Sequence, residues 1–297
     1  MEKSLEELQS LRNKAIDMVC IANKTIKNLG NVGIARVRVP GKDEVVTKGD
    51  LAVSNAWRRY FDNENIPIKV LTEESRDSPF EQQSNQPPKY LGVGDEIDGT
   101  FNFNRARGIL PHCAIFTIFD SLNPKFSDAL VTAVLEHNSG SLWNAVRGQG
   151  CFYNYQKVYT SRATNLDGNT AIMIDRGPCP SPEHVLRFFQ LYQKCWPRNV
   201  SCAGVHLAGV ASGSCSGWDA YTCLVQKPDE LASGYLLIKE AGGYLSDVNG
   251  KPLDEENFDW NKKYQIIAAA TKDLGEKIIK ELLSEDQAKD LHNKLIR

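Results

Sequence analysis

With 297 residues, 41% of them hydrophobic, the chain is long enough to bury a substantial core in one large domain or two closely packed halves, which excludes a disordered protein. A formal net charge of -2 and a pI near 6.2, with no cluster of Lys and Arg interleaved with aromatics, argue against a nucleic-acid polymer as partner. No stretch is apolar over the width of a bilayer, and the charged start, Met1 to Lys14, has no apolar run ahead of a cleavage site, so the chain reads as soluble and cytoplasmic with no membrane partner.

Apolar side chains at helical spacing (Leu5, Leu8, Leu11, Ala15, Met18, Val19, Ala22, Ile26) predict a helix over residues 2–29, with Gly30 as its stop. Ile34 to Val39 and Val45-Val46 read as two short strands around a turn at Pro40-Gly41-Lys42-Asp43. A second helix is expected from Leu51 to Phe61, with Asp50 at its start, where capping alone would account for an acid. Ile68 to Leu71 is a strand that runs into Thr72-Glu73-Glu74-Ser75, and residues 76–88, rich in Ser, Gln, Asn and Pro, are expected as an exposed loop.

The apolar run Tyr90 to Val93 then ends in Asp95 and Asp98, just ahead of Gly99-Thr100. Two like charges at the end of a buried strand disfavour each other's ionised form unless a cation lies between them. A hard divalent ion such as Mg2+ removes that penalty, because it takes carboxylate and carbonyl oxygens and leaves room for water and phosphate. The competing account is a strand-to-helix turn in which Asp98 caps the next segment.

Further on, Cys113 to Phe119, Ala129 to Leu135 and Ser141 to Val146 read as strands, with Gly148 and Gly150 closing a hairpin. Beyond residue 155, strand and helix alternate. Ala171 to Ile174 is a strand, Ser181 caps a helix through Cys195, and Asn199 to Cys202 is strand-like. A short helix from His206 to Ser212, a strand from Trp218 to Leu224, a helix from Glu230 to Glu240 and a last strand from Gln265 to Ala270 follow. Asp273 to Arg297, charged around most of its circumference, reads as a solvated helix. The eight cysteines contain no CxxC pair and read as reduced core thiols, and the five histidines have no zinc-site spacing. His112 and His206 read as hydrogen-bonded structural residues.

Glu73-Glu74-Ser75, then Asp95-Glu96-Ile97-Asp98-Gly99-Thr100 with Asn102-Phe103, then Glu240-Ala241-Gly242-Gly243 with Asp247 and Gly250-Lys251-Pro252-Leu253, form an ordered set. From about residue 40 to 270 it resembles the inositol monophosphatase family, metal-dependent sugar and polyol phosphatases related to the fructose-1,6-bisphosphatases. The family pattern has proline where this chain has Glu96, a side chain expected to point away from its ligand-bearing neighbours while adding negative charge near the metals.

The resemblance implies a layered α+β and α/β sandwich (αβαβα), with an N-terminal half over residues 1–155, a smaller C-terminal half over 156–297, and the site in the crevice between them. It implies Mg2+ held by Glu73, Asp95, Asp98, the Ile97 carbonyl and a further acid, with Thr100 and, behind it, Asp50 orienting and deprotonating the attacking water. Glu73 bridges metals and shares in catalysis. Contacts to the substrate fall to Asp98, Gly99, Thr100 and Glu230. Trp218-Asp219 looks like the family's last ligand pair but stands too far from Gly242-Gly243. Counting back from the glycines lands on Asp229-Glu230, and Glu230 is taken as the ligand, with capping of a helix as its alternative role.

The function expected is hydrolysis of a small phosphate ester, an inositol monophosphate-like, sugar or polyol phosphate, by a homodimer. The alternatives are fructose-1,6-bisphosphatase or nucleotide 3′-phosphatase activity on the same fold, and a catalytically weak regulatory protein that binds metal or phosphate. Cys223 stands where the resemblance places an acid for inositol hydroxyls, and a thiol cannot replace its paired acceptors. Arg105, Arg107 and Lys42 are available to a second phosphate or simply to solvent.

Overall fold

Helix α1 (Leu5–Leu29) starts at Ser4, whose hydroxyl accepts from the Glu7 amide, and stops at Gly30, where a φ of 53° suits a residue without a Cβ. It buries Leu11, Ala15, Met18, Val19, Ala22 and Ile26 along one face, the spacing that predicts it. The computed structural model describes residues 3–32, 36–37, 46–64, 67–75, 80–81, 87–106, 108–177, 181–215 and 217–295. The turn expected at Pro40-Gly41-Lys42-Asp43 therefore lies outside the described residues, between β1 (Arg36–Val37) and β2 (Val46–Thr47), which pair antiparallel.

Then come α2 (Lys48–Asn63), β3 (Ile68–Thr72), β4 (Phe80–Glu81), β5 (Tyr90–Asp98), α3 (Thr100–Arg105), β6 (Cys113–Phe119), β7 (Ala129–Glu136), β8 (Leu142–Val146), β9 (Gly150–Tyr153) and β10 (Gln156–Val158). Strands in the order β10-β9-β8-β7-β6-β5-β3-β4 make an eight-stranded sheet, antiparallel except where β3 runs parallel to β5. The second half contributes β11 (Ala171–Asp175), α4 (Pro182–Leu186), α5 (Phe189–Lys194), β12 (Trp196–Arg198), α6 (Ala203–Ala211), β13 (Ala220–Gln226), α7 (Pro228–Glu240), β14 (Tyr244–Asp247), β15 (Tyr264–Ala269), α8 (Lys272–Glu281) and α9 (Glu285–Leu295). Its five strands run β12-β11-β13-β15-β14, with β12, β11 and β13 parallel.

Packing follows from which faces are apolar. α1 and α2 cover one face of the large sheet, where Trp57 and Phe61 meet Phe116. Gly94 on β5 is needed there, since a Cβ would lie 2.8 Å from Phe116 Cδ2 and 3.1 Å from Trp57 Cζ3. α6 and α7 fill the space between the two sheets with Leu207, Ala208, Leu231 and Ala232, against Leu91 and Ile115 on one side and Tyr221 and Ile266 on the other. Phe188 and Leu191, with α8, cover the outer face of the small sheet. The layers run αβαβα, the sandwich expected. No helix among the described residues is long and apolar enough to cross a membrane.

Several local expectations are corrected. Asn199 to Cys202 is no strand: Ser201 has a φ of 52°, which breaks an extended run, and the strand is the preceding Trp196–Arg198. The helix expected from Ser181 to Cys195 is two helices, broken where the Arg187 side chain turns in to donate to the Leu283 carbonyl and Gln265. The C-terminal segment is likewise two helices, and Leu274, Ile278 and Ala288 are buried rather than solvated. β4 pairs with β3 inside the segment expected to be loop. Cys20 and Cys215 are exposed, not core thiols.

Candidate metal centre

The large sheet delivers the first three acids. β3 pairs with β5 with Thr72 opposite Gly94, so the strands end together, and the Glu73 amide donates to the Gly94 carbonyl at 3.3 Å. Asp95 and Asp98 are three residues apart, and in a regular strand an odd spacing sends side chains to opposite faces. The pairing with β6 resolves this: Asp95 lies opposite Ile115 and Asp98 opposite Cys113, so three steps on β5 match two on β6. That bulge turns both carboxylates toward one crevice. The Asp95 carboxylate accepts from the Ile97 amide at 2.9 Å, which fixes the bulge from within.

The second half brings the rest. Pro228 opens α7, and Asp229 and Glu230 occupy its first turn. Carboxylate oxygens of Glu73, Asp95 and Asp229 lie within 4.8 Å of one another, and so do those of Asp95, Asp98 and Glu230. The two triads share Asp95. α6 holds the far side of Asp98: the Gly204 amide donates to Asp98 Oδ2 at 2.6 Å. Asp229 Oδ1 is buried and has no hydrogen-bond partner among the described residues. An all-oxygen donor set with a desolvated, unpartnered carboxylate oxygen fits a hard divalent cation.

Burial is the main force on these acids. It pushes Asp95 well above the ordinary carboxylate range, reinforced by Glu73, Asp229 and Asp98, and it does the same to Glu230, reinforced by Asp98. Asp98 and Asp229 are raised by burial too, against the Gly204 amide in one case and Lys227 in the other. The Lys227 ammonium donates to Glu73 Oε1 at 3.0 Å and is a nearby positive charge that eases this repulsion.

A pH dependence follows. These acids, and Asp50, raised by burial from 3.8 to about 7, hold protons in the folded state that the unfolded chain releases, so stability falls as pH rises from their unfolded to their folded values and levels off above them. For Asp50 alone that range corresponds to about 4 kcal/mol. Without divalent cation, the thermal midpoint is expected to drop between about pH 4 and 7, and a saturating cation to flatten the slope. Equal slopes in chelator and in cation would contradict the centre. His206 acts oppositely, because burial lowers it to about 4 and its destabilisation grows only as pH falls below 6.5.

Asp50 is the third residue of α2, and its Oδ2 accepts from both the amide and the hydroxyl of Thr47 at 2.7 Å, a capping box. Thr100 Oγ1 donates to the Ile97 carbonyl at 2.9 Å. The two residues expected to act as a pair thus each have another partner. The Ile97 carbonyl and Gly99, whose φ of 81° makes the turn, lie beside Thr100.

Glu96 is fully buried, hydrogen-bonded by the Thr72 hydroxyl, and pushed well above the carboxylate range by burial. Asp219 is committed elsewhere, accepting from Ser161 Oγ at 2.6 Å and the Ala171 amide at 2.9 Å, and Glu240 receives the amides of Gly148 and Gly150.

Cys223 is buried, its Sγ accepting from the Val225 amide. His206 accepts from the Val200 amide at 3.1 Å, a structural role. Arg105 borders a cleft of about 600 Å³ with Lys27 and His112, lined by none of the clustered acids. Lys42 and Arg107 lie outside the described residues.

Asp229 and Lys227 were missed in the sequence. Asp229 was visible as half of the Asp229-Glu230 pair, but a one-residue choice of register hid it. Nothing in the sequence marks Lys227, which reaches Glu73 across 154 positions.

Residues 7–287 match the model of the inositol monophosphatase family. Inositol monophosphatase 1 of Homo sapiens is 31% identical over 95% of this chain and 94% of its own length. Nus factor SuhB of Escherichia coli strain K12 is 28% identical over 78% of this chain and 86% of its own. In fold, the chain superimposes with a TM-score of 0.75 on the extragenic suppressor protein suhB of Bartonella henselae, 19% identical, covering 92% of this chain and 98% of that one.

Proposed function

Since the chain belongs to the inositol monophosphatase family and is a phosphatase, we propose that it hydrolyses a small sugar or polyol phosphate in a Mg2+-dependent reaction at the acid cluster. The observation that carries this reading is the pair of carboxylate triads joined at Asp95, with an unpartnered Asp229 oxygen among them. Glu73, Asp95 and Asp229 would hold one cation, and Asp95, Asp98 and Glu230 a second. Bound there, divalent cations lower the pKa of water, neutralise phosphate charge and favour the leaving oxygen.

The chain's own residues position the reactants. Thr100 gives its hydroxyl proton to the Ile97 carbonyl, so its lone pairs remain to accept from a water. For Asp50 to take up a proton from Thr100, the hydroxyl must first leave that carbonyl and Asp50 must release a Thr47 donor. Gly204 holds Asp98 in place. Thr100 opens α3, whose first amides have no acceptor within the helix, and phosphate would be met by such N–H groups. With a thiol at Cys223, selectivity rests on groups other than a paired carboxylate acceptor, which supports a broader polyol or sugar substrate over strict inositol recognition. The family also supports a homodimer.

The test is phosphate release from a panel of inositol, sugar and nucleotide phosphates, in Mg2+ and in chelator. Release from sugar or polyol esters that stops in chelator is the expected result. Release that continues unchanged in chelator, or none from any ester while Mg2+ still raises the thermal midpoint, overturns it; the second outcome is the signature of a regulatory metal-binding protein.

A further inference from the structure

Beside Asp98, two thiols meet. Cys113, on β6, and Cys202, the residue before α6, are both fully buried and come from opposite halves of the molecule. Their sulfurs are 3.6 Å apart, and Asp98 Oδ2 lies 3.5 Å from Cys113 Sγ and 3.3 Å from Cys202 Sγ.

We propose that Cys113, Cys202 and Asp98 form a second metal site, for a thiophilic divalent cation such as zinc, which takes Asp98 away from the magnesium centre. Zinc binds thiolate at about 2.3 Å and carboxylate at about 2.0–2.2 Å, so one face of its tetrahedron has edges of about 3.8 Å between sulfurs and about 3.5 Å from sulfur to oxygen. The three atoms already stand within a few tenths of an ångström of that face. Each thiol releases its proton to solvent as its bond to the metal forms, with no change of oxidation state. The Asp98 carbonyl, 3.7 Å from Cys202 Sγ, stands beside the triangle as a further oxygen.

Gly204 keeps the triangle close to α6: a Cβ there would sit 2.8 Å from Cys113 Sγ, 2.9 Å from Ile115 Cγ2 and 3.0 Å from Asp98 Oδ2, so only glycine lets the helix pack this tightly against the two thiols and the carboxylate. Without metal both thiols donate to the Asp98 carboxylate and favour its charged form, and zinc would take the place of those two protons. Hard Mg2+ has no use for the sulfurs, whereas zinc prefers thiolate to an all-oxygen set. Two cations then compete for one side chain, and zinc becomes an inhibitor that acts from beside the centre.

The experiment uses the full-length protein, reduced and freed of metal, titrated with Co2+ as a spectroscopic stand-in for zinc. A near-ultraviolet thiolate-to-cobalt charge-transfer band is expected to saturate at about one equivalent, to vanish on adding zinc, to weaken in Cys113→Ser and in Cys202→Ser, and to be lost in the double variant. Because core substitutions can unfold a protein, each variant is first checked for a cooperative thermal transition, and the single variants carry the test if the double one fails. In parallel, the zinc concentration that halves phosphate release is expected to rise at least about tenfold in either single variant. No band in the wild type, or an undiminished band in both folded single variants, which would assign it to exposed Cys20 or Cys215, overturns the site. The band needs no turnover, so its outcome is independent of whether the substrate reading holds.

Discussion

Asp95→Asn is expected to lower kcat for phosphate release by roughly a thousandfold while raising the thermal midpoint of the metal-free protein. The two effects have one cause. Asp95 belongs to both triads, so its loss weakens every cation the cluster holds, and removing a single preorganised electrostatic partner costs on the order of 10²–10³ in rate. Without cation, the same carboxylate is buried beside Glu73, Asp229 and Asp98, and asparagine of the same shape relieves that repulsion. Steady-state kinetics and a melt in chelator are the two measurements. A variant that loses activity and is also less stable without metal would mean that Asp95 is a structural acid. Glu230→Gln and Asp229→Asn, measured alongside, separate the two triads, since each removes a ligand from only one.

Gly217→Ala is the second large effect, this time on stability. The chain leaves α6, turns, and passes back over it so closely that a Cβ at Gly217 would lie 1.8 Å from the Gly209 carbonyl oxygen and 3.1 Å from Gly213 Cα. A side chain can rotate out of such a clash, but a helix carbonyl cannot. Overpacking against mobile groups costs about 1–3 kcal/mol, and here at least about 3 kcal/mol is expected. For a chain of this size that is a fall of about 5 °C in thermal midpoint.

Activity should fall further than stability alone explains. α6 carries the Gly204 amide that holds Asp98, and Trp218, next to Gly217, donates to the His206 carbonyl at 2.6 Å, so displacement at one end of the helix is felt at the other. A midpoint within about 2 °C of wild type would show that the crossing has room to relax.

What the sequence disclosed and what it hid divide along physical lines. Elements with strong periodicity, such as α1 and the strands from Cys113 to Val146, were legible because their burial is set by local spacing. So was the layered fold, through the order of its acidic motifs. Three features were not. The bulge at Glu96-Ile97 breaks the alternation on which strand reading depends, and only pairing with β6 shows why Asp95 and Asp98 face the same way. The partners of Asp50 and Thr100 depend on hydroxyl rotamers, for which residue spacing carries no signal. The split of the helix after Ser181 depends on where one arginine finds acceptors, nearly 100 positions away at Leu283. Glu96 shows a further limit, because its burial, and the upward push on its carboxyl that follows, cannot be read from residue type.

The bond from the Gly204 amide to Asp98 spans 106 positions. As the polypeptide leaves the ribosome, Glu73, Asp95 and Asp98 emerge first, and for the time it takes to synthesise the following hundred residues they have neither that clamp nor the partners on α7. Any cation the cluster takes would therefore be held by both halves only once the later one has docked, so its selection would be a property of the finished fold.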